Sequence, residues 1–176
     1  MSKGVRSNFY ADIMSQNQEV TGSCHLVVVK LPNGETLRIM VDCGLFQEKE
    51  HYDDNQKLIC NPENLDYVLV THNHIDHTGR LPLLIKKGYA GDFYTTHITK
   101  NLMPLALYDT CRILADLSKR KNIPSLYASK DVAQTINKTR GYDFNQKVRL
   151  SHNATVTFFV NGHLIGAAMI LLQLSY

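Results

Sequence analysis

The sequence predicts an α/β sandwich in which helices pack against sheets, and two observations carry that prediction. Short β-rich runs come early, strand and helix patterns then alternate, and three strand-like runs return near the C-terminus. In the middle, the run YVLV at 67–70 is apolar or β-branched throughout, the signature of a strand covered on both faces. A length of 176 residues with 44% hydrophobic content suffices for one substantial core.

The elements follow in order. HLVVVKL (25–31) and TLRIMVD (36–42) flank PNGE, where Pro32, Asn33 and Gly34 supply the turn chemistry of a hairpin. Asp42 falls where the second of these strands ends. A polar, turn-rich stretch over 48–64 leads into the 67–70 strand, which delivers the chain directly to THNHIDHTGRLPLL at 71–84. TGRLPLLIKKG reads as a short helix, with Pro82 tolerable in its first turn and Gly88 as its C-terminal stop. GDFYTT is a further strand, and from about 99 to 119 Leu102, Leu105, Ala106, Ile113 and Leu117 recur at helical spacing. SKDVAQTINKTRG is another helix, with Ser129 as N-cap and Gly141 beyond its end. KVRL, TVTFFV and AAMILLQL then follow as strands. The last of them runs on to Ser175 and Tyr176 with no turn residue or closing element, so a chain cut at its C-terminus is expected.

Bulk properties remove several function classes. The apolar run LIGAAMILL (164–172) is about half of what a bilayer-spanning helix requires, so no membrane span is expected. The N-terminal stretch MSKGVRSNFYADIMSQNQEV has neither an apolar h-region nor a small-residue cleavage site, which makes the cytoplasm the expected compartment. Cys24, Cys43, Cys60 and Cys111 form no CxxC pair and are expected as free, mostly packed thiols. A formal net charge of +3 agrees with a polyanionic partner without requiring one.

The chemistry concentrates in HxHxDH. His72 and His74 are two apart, so in an extended segment both side chains project to one side as a two-pronged claw. Asp76 and His77 follow where the chain turns into a helix and can address a second position close to the first. One loop can thus serve two adjacent metals. Imidazole suits zinc, and an added carboxylate widens the choice toward manganese or iron. The competing reading, a polar turn with histidines by chance, fits poorly with this spacing right after a buried strand. Further ligands must come from elsewhere, and His163 in NGHLIGAA sits at a strand end beside small residues. From the residues alone it reads equally as a ligand or as a surface loop histidine. Asp42 in VDCG reads equally as a turn aspartate or as a carboxylate that accepts a ligand histidine's ring N–H, with Gly44 permitting close backbone approach. His25, His51, His97 and His152 have no such companions and are expected to be structural or solvent-facing.

Together these residues resemble the first three motifs of the metallo-β-lactamase superfamily: Asp42 in DCG, His72, His74, Asp76 and His77 in HxHxDH, and His163 in a GH turn. TGSCHLV, DCGLFQ, HIDHTGRLPLL and GHLIGAA are similar to its β-CASP branch, the RNA-processing nucleases that include the cleavage and polyadenylation specificity factor endonuclease, its prokaryotic homologues and ribonuclease J. The resemblance implies a four-layer αββα sandwich, incomplete here, with residues 1–176 as the N-terminal part of a metallo-β-lactamase domain and the β-CASP domain absent. It implies two zinc ions, the first held by His72, His74 and His163 and the second by Asp76 and His77, with manganese as the other candidate metal. Asp76 and Asp42 are then the candidate catalytic carboxylates, Asp42 as orienter. The implied reaction is RNA phosphodiester hydrolysis by a two-metal-activated hydroxide. The family also has a bridging aspartate on the next strand and later β-CASP motifs, and the sequence ends before them.

Three functions therefore stand at this point. One is an RNA phosphodiesterase present as a truncated piece. The second is an inactive metal-binding or structural fragment that self-associates into a homo-oligomer through an unfinished sheet edge. The third is a generic hydrolase of the same fold acting on a thioester, lactone or β-lactam, against which GRLP and DCGLFQ argue.

Overall fold

The computed structural model describes residues 10–16 and 20–175. A six-stranded sheet is ordered β1 (Tyr10–Ser15), β2 (His25–Lys30), β3 (Thr36–Val41), β4 (Tyr67–Leu69), β5 (Phe93–Thr96) and β6 (Thr139–Tyr142). Its first three strands pair antiparallel and β3 to β6 pair parallel. A second, antiparallel sheet is ordered β7 (Lys147–Arg149), β8 (Ala154–Val160) and β9 (Ala168–Leu174). Between them run α1 (Ile75–Thr78), α2 (Leu81–Lys86), α3 (His97–Lys121) and α4 (Ser129–Asn137).

Strand alternation explains the layers. Successive side chains face opposite ways, so Met40 and Val68 join the helix-side core with Leu83, Leu84, Met103, Leu107 and Val132. Their neighbours Ile39 and Leu69 point to the other side and meet Val156, Phe158 and Ala168 of the second sheet. The run at 67–70 is apolar throughout because both faces of β4 are buried. The described residues thus form helix, sheet and sheet layers. The outer face of the second sheet carries exposed Met169 and Leu171. Among the described residues no helix is long and apolar enough to cross a membrane.

Several local expectations are corrected. The strand β1 was not expected; its residues are all exposed, and it pairs with β2 as an edge without an apolar stripe to announce it. The helix expected across 129–141 stops at Asn137, and residues 139–142 become β6, because parallel pairing with β5 outcompetes the helical continuation. Gly141 is therefore no helix stop. A Cβ there would lie 2.8 Å from His97 Nδ1, so the glycine lets β6 approach α3. Ser129 is the first helical residue, not the N-cap. Ala128 takes the cap position, and its N–H is satisfied by the Asp131 carboxylate at 2.8 Å. The helix expected over 78–88 is α2, confined to Leu81–Lys86 with Pro82 in its first turn, and a separate unexpected helix, α1, starts at Ile75 inside HxHxDH. The last strand ends at Leu174, Ser175 lies beyond it, and Tyr176 falls outside the described residues. All four cysteines are free, and Cys24, Cys43 and Cys111 are buried.

Arg80, the second residue of GRLP, is fully buried. Its Nε donates to Gly44 O, its Nη1 to Lys57 O at 2.8 Å and its Nη2 to Gln16 Oε1 at 3.1 Å. The guanidinium also lies 4.7 Å from the Phe46 ring centroid. These partners are all neutral, so Arg80 acts as a clamp that ties the DCG turn to the start of α2. Arg80→Met is expected to take a donor from each of these acceptors, with Lys57 O keeping a second one in Gln16 Nε2 at 2.8 Å, and to lower the unfolding free energy by about 2–4 kcal/mol. Urea denaturation checks this, and a loss below about 0.5 kcal/mol would contradict the clamp.

Candidate metal centre

Strands β3 and β4 run parallel with Val41 opposite Leu69, so their C-terminal ends emerge side by side. Open α/β sheets place ligands at this edge. Asp42 leaves one strand there and Thr71 to His77 leave the other. Asp42 has φ of +59°, a left-handed conformation uncommon for a residue with a side chain, and Asp is among the few that tolerate it. A net of main-chain bonds holds it: Asp42 N–H to Leu69 O, Cys43 N–H to His77 O, Leu45 N–H to Ile75 O and Arg80 N–H to Cys43 O, all at 2.8–2.9 Å. Ser23 N–H adds a bond to Asp76 O at 2.8 Å. At Gly44 the two segments touch so closely that a Cβ would sit 1.5 Å from Asp76 O.

The Asp42 carboxylate, 2% exposed, is the hub of this edge. Its Oδ1 accepts Thr71 N–H at 2.8 Å, and its Oδ2 accepts the Thr71 hydroxyl at 2.7 Å. The same Oδ2 lies 2.8 Å from His77 Nδ1. A carboxylate oxygen accepts, so His77 carries its proton on Nδ1 and its Nε2 is left as a lone pair. That Nε2 lies 3.7 Å from Asp76 Oδ2. Burial works to lower the His77 pKa, but the hydrogen bond and charge of Asp42, with Asp76, outweigh it and raise the pKa overall.

His163 arrives from the second sheet, on the loop between β8 and β9. Gly166, with φ of +90°, lets that loop turn against α3, where Thr96 and Thr99 hydroxyls both donate to Gly166 O at 2.7 and 3.0 Å. Ala168 N–H donates to Thr71 O at 3.0 Å, joining the second sheet to the HxHxDH segment. Two residues of this arrangement, Thr71 and Thr96, carried no signal in the sequence beyond their β-branched type.

The result is a tripod. His74 Nδ1 lies 3.2 Å from His72 Nε2 and 3.2 Å from His163 Nε2. Ligand-type nitrogens of His72, His74 and His163 all fall within 4.8 Å of one another. His72 is buried while His74 and His163 are exposed, so the tripod opens to solvent on one side. Burial, reinforced by the neighbouring His77, His74 and His163 rings against the pull of Asp42, lowers the His72 pKa to about 4. Three ring nitrogens aimed at one point cannot all be satisfied by the protons they share, whereas one cation satisfies them together. The donor set therefore fits a metal. Asp76 and His77 adjoin this tripod, with the His77 ring centroid 4.0 Å from that of His72. His25, His51 and His152 bond instead to Ser15, Asp54 and Arg149, and His97 packs beside Gly141.

This fold and edge are those of the metallo-β-lactamase superfamily, and the chain belongs to it: the family profile matches residues 18–154. Its relatives belong to the β-CASP branch that the motifs resemble. The chain is 34% identical to Ribonuclease TTHA0252 of Thermus thermophilus over 156 residues, 89% of this chain and 33% of the ribonuclease. It is 30% identical to Integrator complex subunit 11 of Danio rerio, covering 91% of this chain and 27% of that protein. It is 33% identical to transcription termination factor FttA of Methanocaldococcus jannaschii, covering 94% of this chain and 25% of FttA. The chain thus spans between a quarter and a third of these relatives. Among solved structures, MIM-2 metallo-β-lactamase shares the fold with a TM-score of 0.50 at 16% identity, over 86% of this chain and 50% of that one.

Gly44→Ala is the sharpest test of the edge geometry. The nearest atoms the new methyl would meet are all backbone, Asp76 O and C and His77 N, and none is the end of a flexible side chain. Calorimetric titration should show zinc affinity reduced at least about tenfold, and thermal unfolding should show a cost of about 3 kcal/mol. Unchanged affinity and stability together would contradict the contact.

Proposed function

We propose that the chain carries the metal-binding half of an RNA phosphodiesterase. The observation that carries this reading is the convergence of His72 Nε2, His74 Nδ1 and His163 Nε2 beside Asp76 and His77. The three histidines hold a first divalent cation, zinc by the chemistry of an all-imidazole tripod, with manganese as the alternative. Asp76 and the Nε2 of His77 contribute to a second. Bound there, the cations supply an activated water near neutral pH and neutralise charge developing on the phosphate oxygens. Asp42 keeps His77 in its ligating tautomer, and the open rim at His74 and His163 admits the substrate. RNA is the proposed substrate because the relatives include a ribonuclease and a cleavage and polyadenylation specificity factor subunit.

One observation favours a second reading, a metal-binding but catalytically silent unit. Among the described residues, the ligand cluster contains His72, His74 and His163 only, and no carboxylate joins it to Asp76 and His77. The two readings separate in one preparation. Purified chain should retain at least about one zinc per molecule, and His72→Ala and His74→Ala should abolish that retention. Zinc-dependent cleavage of single-stranded RNA that disappears in His74→Ala supports the phosphodiesterase. Retained zinc with no cleavage supports the silent unit. Less than one equivalent in the wild type, unaffected by either substitution, defeats both.

A further inference from the structure

We propose that Thr71 is a positioning residue that locks the His72 ring so that Nε2, and not Nδ1, is offered to the metal. The inference rests on His72 being a ligand, as proposed above, and goes beyond it in naming what sets its tautomer.

The argument is a count of protons. The Thr71 hydroxyl lies 2.7 Å from Asp42 Oδ2 and 2.9 Å from His72 Nδ1. A hydroxyl has one hydrogen to give and lone pairs to accept with. Two oxygens at 2.7 Å need a hydrogen between them, and the Asp42 carboxylate is the acceptor, so the Thr71 hydrogen goes to Asp42. The contact to His72 can then be a hydrogen bond only if Nδ1 carries the proton. The neutral ring therefore leaves its lone pair on Nε2, the nitrogen that faces His74 and stands nearest the tripod's centre. Thr71 passes the orienting effect of Asp42 on to a second histidine, while His77 receives it directly. One buried carboxylate thus sets the tautomers of a histidine on each side of the divide between the tripod and the Asp76–His77 pair.

Backbone geometry makes Thr71 a rigid relay. Its N–H is fixed on Asp42 Oδ1 and its carbonyl on Ala168 N–H, so the main chain is held at both ends of the residue. The β-branched side chain leaves few χ1 alternatives. Valine keeps that shape and removes only the hydroxyl; serine keeps the hydroxyl and removes the methyl. The pair separates hydrogen bonding from packing.

Long-range proton–nitrogen NMR of the metal-free chain reads the tautomer without requiring metal. Wild type and Thr71→Ser should hold His72 with its proton on Nδ1. Thr71→Val should shift it toward the Nε2-protonated form. Zinc affinity should fall about tenfold or more in Thr71→Val and recover in Thr71→Ser. The proposal is overturned if Thr71→Val keeps the Nδ1-protonated ring, if its zinc affinity stays within about twofold of wild type, or if Thr71→Ser fails to restore either property. A wild-type chain that binds no zinc would instead defeat the metal reading, and the NMR comparison would still decide whether Thr71 sets the tautomer.

Discussion

The acceptance of three hydrogen bonds by one buried carboxylate, Asp42, is the interaction on which the rest of this edge depends. It fastens the end of β4 to the end of β3 through both the backbone and the hydroxyl of Thr71. It also turns the His77 ring. The left-handed backbone at Asp42 brings the carboxylate under the loop instead of out to solvent. Such a conformation persists only where surroundings over-determine it. Here the surroundings are the main-chain bonds from residues 42–45 to 75–80, the absent Cβ of Gly44, and the Arg80 clamp behind it.

The layering follows from the same edge. The HxHxDH segment needs its strand buried on both faces so that the histidines leave a rigid support, and β4 has helices on one side and the second sheet on the other. The second sheet then supplies His163 from across the gap, anchored by Ala168 to Thr71 and by Gly166 to the head of α3. Catalytic geometry in such sites depends on supporting side chains as much as on ligands. GRLP illustrates the point. It is part of the resemblance to the β-CASP branch, yet its arginine is fully buried and never reaches the open rim. It acts inward, on the turn that carries Asp42.

Much of this was legible in the chain. The hairpin, the buried strand β4 and the last three strands follow from periodicity and turn residues, and the spacing of His72, His74, Asp76 and His77 marks the edge where the structure gathers them. The helix α3 forms where expected, but its buried face is Met103, Leu107, Cys111 and Leu114, while Leu102, Leu105 and Ile113 of the expected stripe are exposed. What could not be read lies where tertiary pairing overrides local preference. The residues of β1 have no apolar stripe, and Thr139 to Tyr142 look like the tail of a helix until β5 is beside them. Gly141 looks like a stop signal and is a contact. Thr71 is one β-branched residue at a strand end, and nothing in its neighbours says that its hydroxyl sits between an aspartate and a histidine. His163 lies 89 positions from His74, and only the meeting of two sheets brings them together.

The measurement that tests the account most directly is an anomalous-scattering map, at the zinc edge, of crystals of the chain grown with zinc. The account predicts a peak within bonding distance of His72 Nε2, His74 Nδ1 and His163 Nε2 together. A peak bound through His72 Nδ1, or a zinc site that leaves His163 out, would contradict it.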